Sequence, residues 1–271
     1  MTLIIGIKCA DGVVVGCDGA ATYMTPLGQN RTITQPTLKL EIIGQHLILG
    51  MSGAVGLAQS YRLEIESQVK SHNQKVPWKS MLDARKSLQE AFWKHAQVGW
   101  QRAEVIARTA GAAAAIVEVV HQTVVALPVQ DEPHLLQFNH QCQPEEASKS
   151  LPFLAIGSGQ STADPFLAFI RRVFWPNAEP RLKDGIFAIA WALDYSIKAQ
   201  PGGIADPIQI VLLEKLQTNE WKARELSEDE LGQHRQMIRS LEEEFPQFTK
   251  RTFSEPSSEP IPQPQKASHP S

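Results

Sequence analysis

The chain opens with aliphatic residues at Leu3, Ile4, Ile5 and Ile7, an Asp11-Gly12 pair that signals a tight hairpin, and a return run at Val13, Val14 and Val15. The stretch TYMTPLGQNRTITQPT, rich in Pro, Gly, Thr and Asn, reads as a loop. A second strand pair follows, LKLEII and HLILGMSG, turned at Gly44-Gln45. The period then changes from two to about four. Leu57, Tyr61, Ile65 and Val69 predict one amphipathic helix, and Met81, Ala84, Leu88, Ala91, Phe92 and His95 predict another within about residues 78–106.

AAAAIVEVVHQTVVALPV, HLLQFN and FLAIGSGQ read as strands, the last ending in a glycine-flanked serine. Two more helices are predicted over about 162–174 and 180–198, the second stopped by Gly202 and Gly203, and IQIVLLEKL makes a closing strand. Strands, two helices, strands, two helices and a strand predict an α+β fold in which antiparallel sheets pack face to face with helices outside. A further charged helix is expected over 227–248. Ser227 and Glu230 form its capping box, and Leu231, Met237 or Ile238, Leu241 and Phe245 lie on one side. The Pro/Ser-rich SEPSSEPIPQPQKASHPS cannot bury enough apolar surface to fold and reads as a disordered tail.

Composition narrows the function. At 271 residues, 42% hydrophobic and 20% charged, the chain can bury a core as one large domain or two small ones. With 26 basic against 29 acidic residues the net charge is -3, which lacks the basic footprint that nucleic-acid binding needs. No apolar run approaches the ~18 residues of a membrane span, and the first residues lack a signal-peptide pattern, so a cytoplasmic location is expected. Cys9, Cys17 and Cys142 have no metal-ligand spacing and read as buried reduced thiols. His46, His95 and His121 have no HxxH or HxxxH partner and read as packed or surface groups. Neither a metal nor another cofactor is expected, and the six tryptophans are assigned to core and subunit contacts.

The chemistry is sought at the start of the first strand. Removal of Met1, which a small second residue permits, would make Thr2 the N-terminus. An α-amine has a reference pKa of ~7.7–8.0, so near neutral pH it can take the proton of the threonine's own hydroxyl, directly or through one water. Lys39 on the third predicted strand could lie beside Thr2 and favour alkoxide character, and Asp18 at the end of the second could hold that lysine charged. The Gly53 N–H, in the turn of GMSGAVG, could donate to a developing oxyanion. Taken singly, Thr2 is an ordinary strand residue, Lys39 a solvated strand lysine and Asp18 a turn residue. The ordered set is what favours catalysis.

That set resembles the proteasome-type β subunits of the N-terminal-nucleophile (Ntn) hydrolases. The carrying residues are TLIIGIKCADGVVVGCDGAAT, the lysine of TLKLEIIGQHLILGMSG, and AIGSGQS. The resemblance covers roughly residues 2–215. It implies a four-layer αββα sandwich, Thr2 as nucleophile, and Asp18, Lys39, Gly53 and Ser158 as its partners. Ser158 alone could equally cap the following helix. Thr22, Met51 and Val55 match substrate-binding positions, which suggests a medium apolar side chain. CDGAAT, with no arginine after the aspartate, resembles the simpler bacterial, HslV-like form. The Asp-x-x-Ser-Gly-Gly pattern by which many members support the threonine does not appear: Lys198 and Pro201 stand at the aspartate and serine places, with Asp194 and Ser196 a turn upstream.

The resemblance further implies a peptide or unfolded-protein substrate, a homo-oligomeric ring or stacked rings, and an ATP-dependent unfoldase as partner. No nucleic-acid or membrane partner is expected. The division implied is a catalytic-type domain over 2–216, a helical extension over 217–250 whose apolar side would cover a neighbouring subunit or ring surface, and a tail over 251–271. A non-catalytic ring scaffold and a small-molecule amidase of the same superfamily remain the alternatives.

Overall fold

The computed structural model describes residues 2–24, 30–33, 39–72, 76–111, 119–199 and 203–254, with the backbone alone at 21–24 and 30–33. The predicted disordered tail therefore lies outside the described residues from 255 onward, as do Gly202, Pro201 and most of the alanine-rich run before His121.

β1 (Ile4–Cys9) and β2 (Gly12–Cys17) form the expected hairpin, with Ile4 opposite Cys17 and Cys9 opposite Gly12. They sit in the middle of a five-stranded antiparallel sheet ordered β10-β1-β2-β11-β12, in which β10 is Phe153–Ile156, β11 is Gln209–Lys215 and β12 is Trp221–Glu225. The second five-stranded sheet is ordered β5-β6-β7-β8-β9. Its strands are Leu40–Ile43, Leu47–Ser52, Gln122–Val129, Glu132–Phe138 and Pro144–Glu146.

Side chains alternate across each strand, and this decides the layers. Ile5 and Ile7 face helices α3 (Gln160–Phe174) and α4 (Leu182–Ala199), whereas Ile4, Val13, Val15 and Cys17 face the second sheet. In that sheet Val124 and Ala126 point between the sheets, while Val125 and Leu127 meet α1 (Val55–Ser71) and α2 (Met81–Ala110). The result is the expected four-layer αββα sandwich, with one apolar cluster between the sheets and one under each helix pair. Runs buried on both faces, such as IIGIKC and GVVVGC, are nearly continuous in apolar residues because neither face of the strand meets water.

Several elements differ from the sequence reading. The stretch read as a loop contains a small hairpin, β3 (Ala21–Met24) paired with β4 (Asn30–Ile33), whose polar composition hides its pairing. β11 is not the closing strand: β12 pairs with it antiparallel after a short turn, so the boundary drawn after Leu216 falls inside a hairpin. The last helix, α5 (Glu228–Ser254), extends past 250. Its Leu231 and Ile238 are buried, and with Leu241 they pack into the cluster around α4. Leu231, Ile238 and Leu241 of the side expected to cover a neighbouring subunit thus cover the chain's own sheet-and-helix layer, whereas Phe245 stays 46% exposed, and of the pair Met237 or Ile238 it is Ile238 that turns inward. Its predicted capping box is formed, with Glu230 N–H donating to Ser227 Oγ at 3.3 Å and Ser227 N–H to Glu230 Oε2 at 3.0 Å.

Candidate active site

Thr2 lies two residues before the start of β1, and Ser158 and Gly159 follow β10, the strand beside β1. Pairing of Ile4 with Ile156 therefore brings residues 2 and 158 together although 156 positions separate them. The Thr2 N–H donates to Ser158 Oγ at 3.2 Å, and the Thr2 carbonyl accepts from Gly159 N–H at 3.3 Å and from Ser158 Oγ at 3.5 Å. Gly157 has φ +91°, and its Cα lies so close that an added Cβ would run into the Thr2 carbonyl oxygen. Ser158 is therefore a contact of Thr2. The alternative role as a helix cap is not taken up: Gly159 occupies that position and makes no side-chain capping bond.

Asp18, one residue past β2, is fully buried. Its Oδ1 accepts the Leu3 N–H at 2.8 Å and the Lys39 ammonium at 2.6 Å, and its Oδ2 accepts the Ala20 N–H at 3.1 Å and Ala205 N–H at 3.4 Å. A buried carboxylate demands such partners, since an unpaired charge out of water costs several kcal/mol. Lys39 sits just before β5 in the other sheet with its side chain 7% exposed, so this ion pair joins the two sheets beside Thr2. Leu3 N–H and Lys39 Nζ share one carboxylate oxygen, which places the ammonium within two hydrogen-bond lengths of the backbone nitrogen of the residue after Thr2.

Gly53 follows β6 in an exposed turn at φ +131°, a conformation that side chains rarely adopt. A Cβ there would come within 2.8 Å of His121 Cβ and 2.9 Å of the Val120 carbonyl oxygen. Its N–H makes no hydrogen bond among the described residues and is open to an acceptor. Among the predicted substrate-binding positions, Val55 is 59% exposed at the start of α1, whereas Met51 is 8% exposed within the cluster under α1 and α2 and offers little surface. Thr22 lies on β3, with its side chain outside the described part.

Two further residues contact the turns at Gly157 and Gly53: Gln122, which the sequence reading passed over, and His121, which it read as a packed or surface group. Gln122 Oε1 accepts the Gly157 N–H at 3.0 Å. His121, buried as a packed group, receives the Tyr61 hydroxyl on Nε2 at 3.0 Å; its Nδ1 must carry the proton, because it faces the Val119 carbonyl at 3.0 Å. Burial lowers the pKa of His121 and raises that of Cys142, whose Sγ lies 3.6 Å from the Tyr61 hydroxyl. No motif marks these residues; their partners lie 35 to 81 positions away.

Cysteine chemistry has no support in the site. Burial pushes the Cys17 thiol up to about 12, against the opposing pull of Lys39, and carries Cys9 well above its ordinary value, so neither is a thiolate near neutral pH. Asp194 pairs with Lys198 at 2.7 Å, and the Ser196 hydroxyl is buried without a partner among the described residues. The described residues hold no cluster of three His, Cys, Asp or Glu fit for a metal ion, and no described helix is long and apolar enough to cross a membrane. A cavity of about 460 Å³ lined by Lys8, Asp11, Glu179 and Trp221 opens at the Asp11-Gly12 end of the first hairpin, roughly 20 Å along β1 from Thr2.

Residues 2–102 match the family model described as Proteasome subunit. No curated protein matches the chain. Solved structures that it resembles include the Anbu (Gly-1) mutant from Hyphomicrobium sp. strain MC1, at 17% identity and TM-score 0.62, and Anbu (ancestral beta-subunit) from Yersinia bercovieri, at 14% and 0.61. A second structure of Anbu from Hyphomicrobium sp. strain MC1 matches at 16% and 0.58. Each alignment covers 96% of this chain and 100% of the other. At these identities the likeness establishes a proteasome-like fold.

Proposed function

We propose that the chain is a threonine-type peptidase subunit with Thr2, exposed by removal of Met1, as its nucleophile. One observation carries the reading: Thr2 is held through its own backbone by Ser158 and Gly159, while its neighbour Leu3 shares Asp18 Oδ1 with Lys39. The free α-amine accepts the hydroxyl proton, and the Lys39 charge favours the developing alkoxide. Thr2 Oγ1 then bonds to the substrate's carbonyl carbon, and the oxyanion takes the Gly53 N–H. The ammonium returns its proton to the departing amine as the peptide C–N bond breaks. Water, deprotonated by the same amine, cleaves the ester and restores Thr2.

The proposal extends to a bacterial-type, cytoplasmic ring assembly acting on peptides or unfolded proteins admitted by an ATP-dependent unfoldase. It is supported by the match over residues 2–102 and the proteasome-like fold. A second reading, a non-catalytic subunit, is favoured by one feature: the Asp194 carboxylate is engaged by Lys198 at the far end of α4. Intact-protein mass after incubation with a β-lactone, with Thr2→Ala alongside, separates the two. A species lacking Met1 and carrying one probe, absent in the variant, supports the peptidase. Retained Met1, or its loss without probe uptake, refutes it and leaves the scaffold.

A further inference from the structure

The two halves of the proposed site stand on different sheets. Thr2 and the 157–159 turn belong to the β10-β1 edge of one, and Gly53 belongs to the β6-β7 end of the other. Apolar packing between sheets is non-directional and cannot by itself set the distance from a nucleophile to an oxyanion donor. Directional bonds across the gap can, and at this end of the sandwich one of them comes from Gln122.

Gln122 begins β7 directly opposite Ser52, the residue before Gly53. The alternation that points Val124 and Ala126 between the sheets points Gln122 the same way, and its Oε1 receives the Gly157 N–H at 3.0 Å. Gly157 in turn lies against Thr2 and Ser52: a Cβ on it would meet the Thr2 carbonyl carbon at 2.9 Å and Ser52 Oγ at 3.1 Å. The residue before Gln122, His121, turns to the helix layer, where Tyr61 holds its ring, and its Cα and Cβ come within 3.0 Å of where a Cβ on Gly53 would stand. Two consecutive residues therefore touch both halves of the site, His121 on the Gly53 side and Gln122 on the Thr2 side.

We infer that Gln122 is a positioning residue, fixing the turn that holds Thr2 relative to Gly53 across the gap between the sheets. This rests on the reading of Thr2 as nucleophile. Loss of the acceptor frees the Gly157 N–H and lets the 157–159 turn drift, and a site built on near-attack geometry loses rate when the reacting groups separate. Binding of substrate by other surfaces is untouched, so the effect falls on the chemical step.

The test uses the full chain with Met1 removed, a β-lactone probe, and the separate measurement of kinact and KI for the wild type, Gln122→Met and Gln122→Glu. Methionine keeps the volume without an oxygen, whereas glutamate keeps an acceptor. Gln122→Met should lower kinact about tenfold with KI within about twofold, and Gln122→Glu should recover most of that loss. Hydrogen exchange in the peptide spanning 153–160 should quicken in the methionine variant alone. If Gln122→Met does not fold, Gln122→Asn, with a shorter reach, replaces it. Equal kinact in the wild type and a folded methionine variant overturns the inference, even if melting falls. A wild type that takes no probe at Thr2 instead overturns the nucleophile reading, and this inference with it.

Discussion

Gly157→Ala perturbs the backbone that encloses Thr2 without altering any group proposed to act in the reaction. The φ of +91° is a region in which an L side chain is strained by about 1–3 kcal/mol. The new methyl would also stand 2.9 Å from the Thr2 carbonyl carbon and collide with its oxygen, and backbone atoms cannot rotate out of the way as a side-chain tip could. Overpacking of this kind costs about 1–3 kcal/mol, while reduced freedom of the unfolded chain returns about 0.4–1 kcal/mol. A net loss of roughly 2–5 kcal/mol is expected, which for a domain of this size lowers Tm by roughly 5–15 °C. Relief requires movement at Thr2 of the order of 1 Å, and such a displacement costs on the order of 10²-fold in rate. Calorimetry and β-lactone labelling measure the two effects on one preparation. Gly232→Ala is the control: it lies in α5 with no atom within 4 Å of an added Cβ, and should be neutral or stabilising by about 0.5–1 kcal/mol. A Gly157→Ala protein that melts with the wild type and labels at the same rate would refute the reasoning.

Tyr61→Phe removes the hydroxyl donor to His121 Nε2 and leaves that buried acceptor with only the weak Cys142 thiol at 3.7 Å, so urea denaturation should register a loss of about 1 kcal/mol; an unchanged midpoint would mean that this hydrogen bond contributes nothing net. Arg224 first, and then the Ser227 N–H, hold the Glu230 carboxyl at about 2, below its ordinary 4.5. A depressed carboxylate stabilises the fold above the unfolded value and loses that contribution as pH falls toward the folded one. Glu230→Gln should accordingly be less stable than the wild type at pH 7, by about 1 kcal/mol for so exposed a pair, with the gap narrowing below pH 4.5. A gap that stays constant from pH 7 to pH 3 would rule out this electrostatic origin.

Local patterning made much of this protein legible from its residues alone. The Asp11-Gly12 hairpin, the periodic helix faces and the Ser227-Glu230 cap each depend on neighbours within a few positions, and each is found where the pattern puts it. Thr2, Asp18, Lys39 and Gly53 could be nominated because each carries a type of chemistry near the end of a strand or at a turn, and Ser158 joined them through the family resemblance. The hairpin over Ala21–Met24 and Asn30–Ile33 was missed because its residues resemble those of loops. The strand Trp221–Glu225 was missed because its stability comes from an edge position beside β11 more than from its own composition. Pairing β10 with β1 set Ser158 against Thr2, stacking the two sheets joined Lys39 to Asp18, and packing α5 on the α4 layer chose Ile238 over Met237 as the inward residue. The Gln122 bond to Gly157 and the Tyr61 bond to His121 had no sequence signal, since a lone glutamine or tyrosine has no period or motif. Such directional contacts between distant residues exist only once the sheets have closed on one another, and the sequence specifies them through the packing of the whole core.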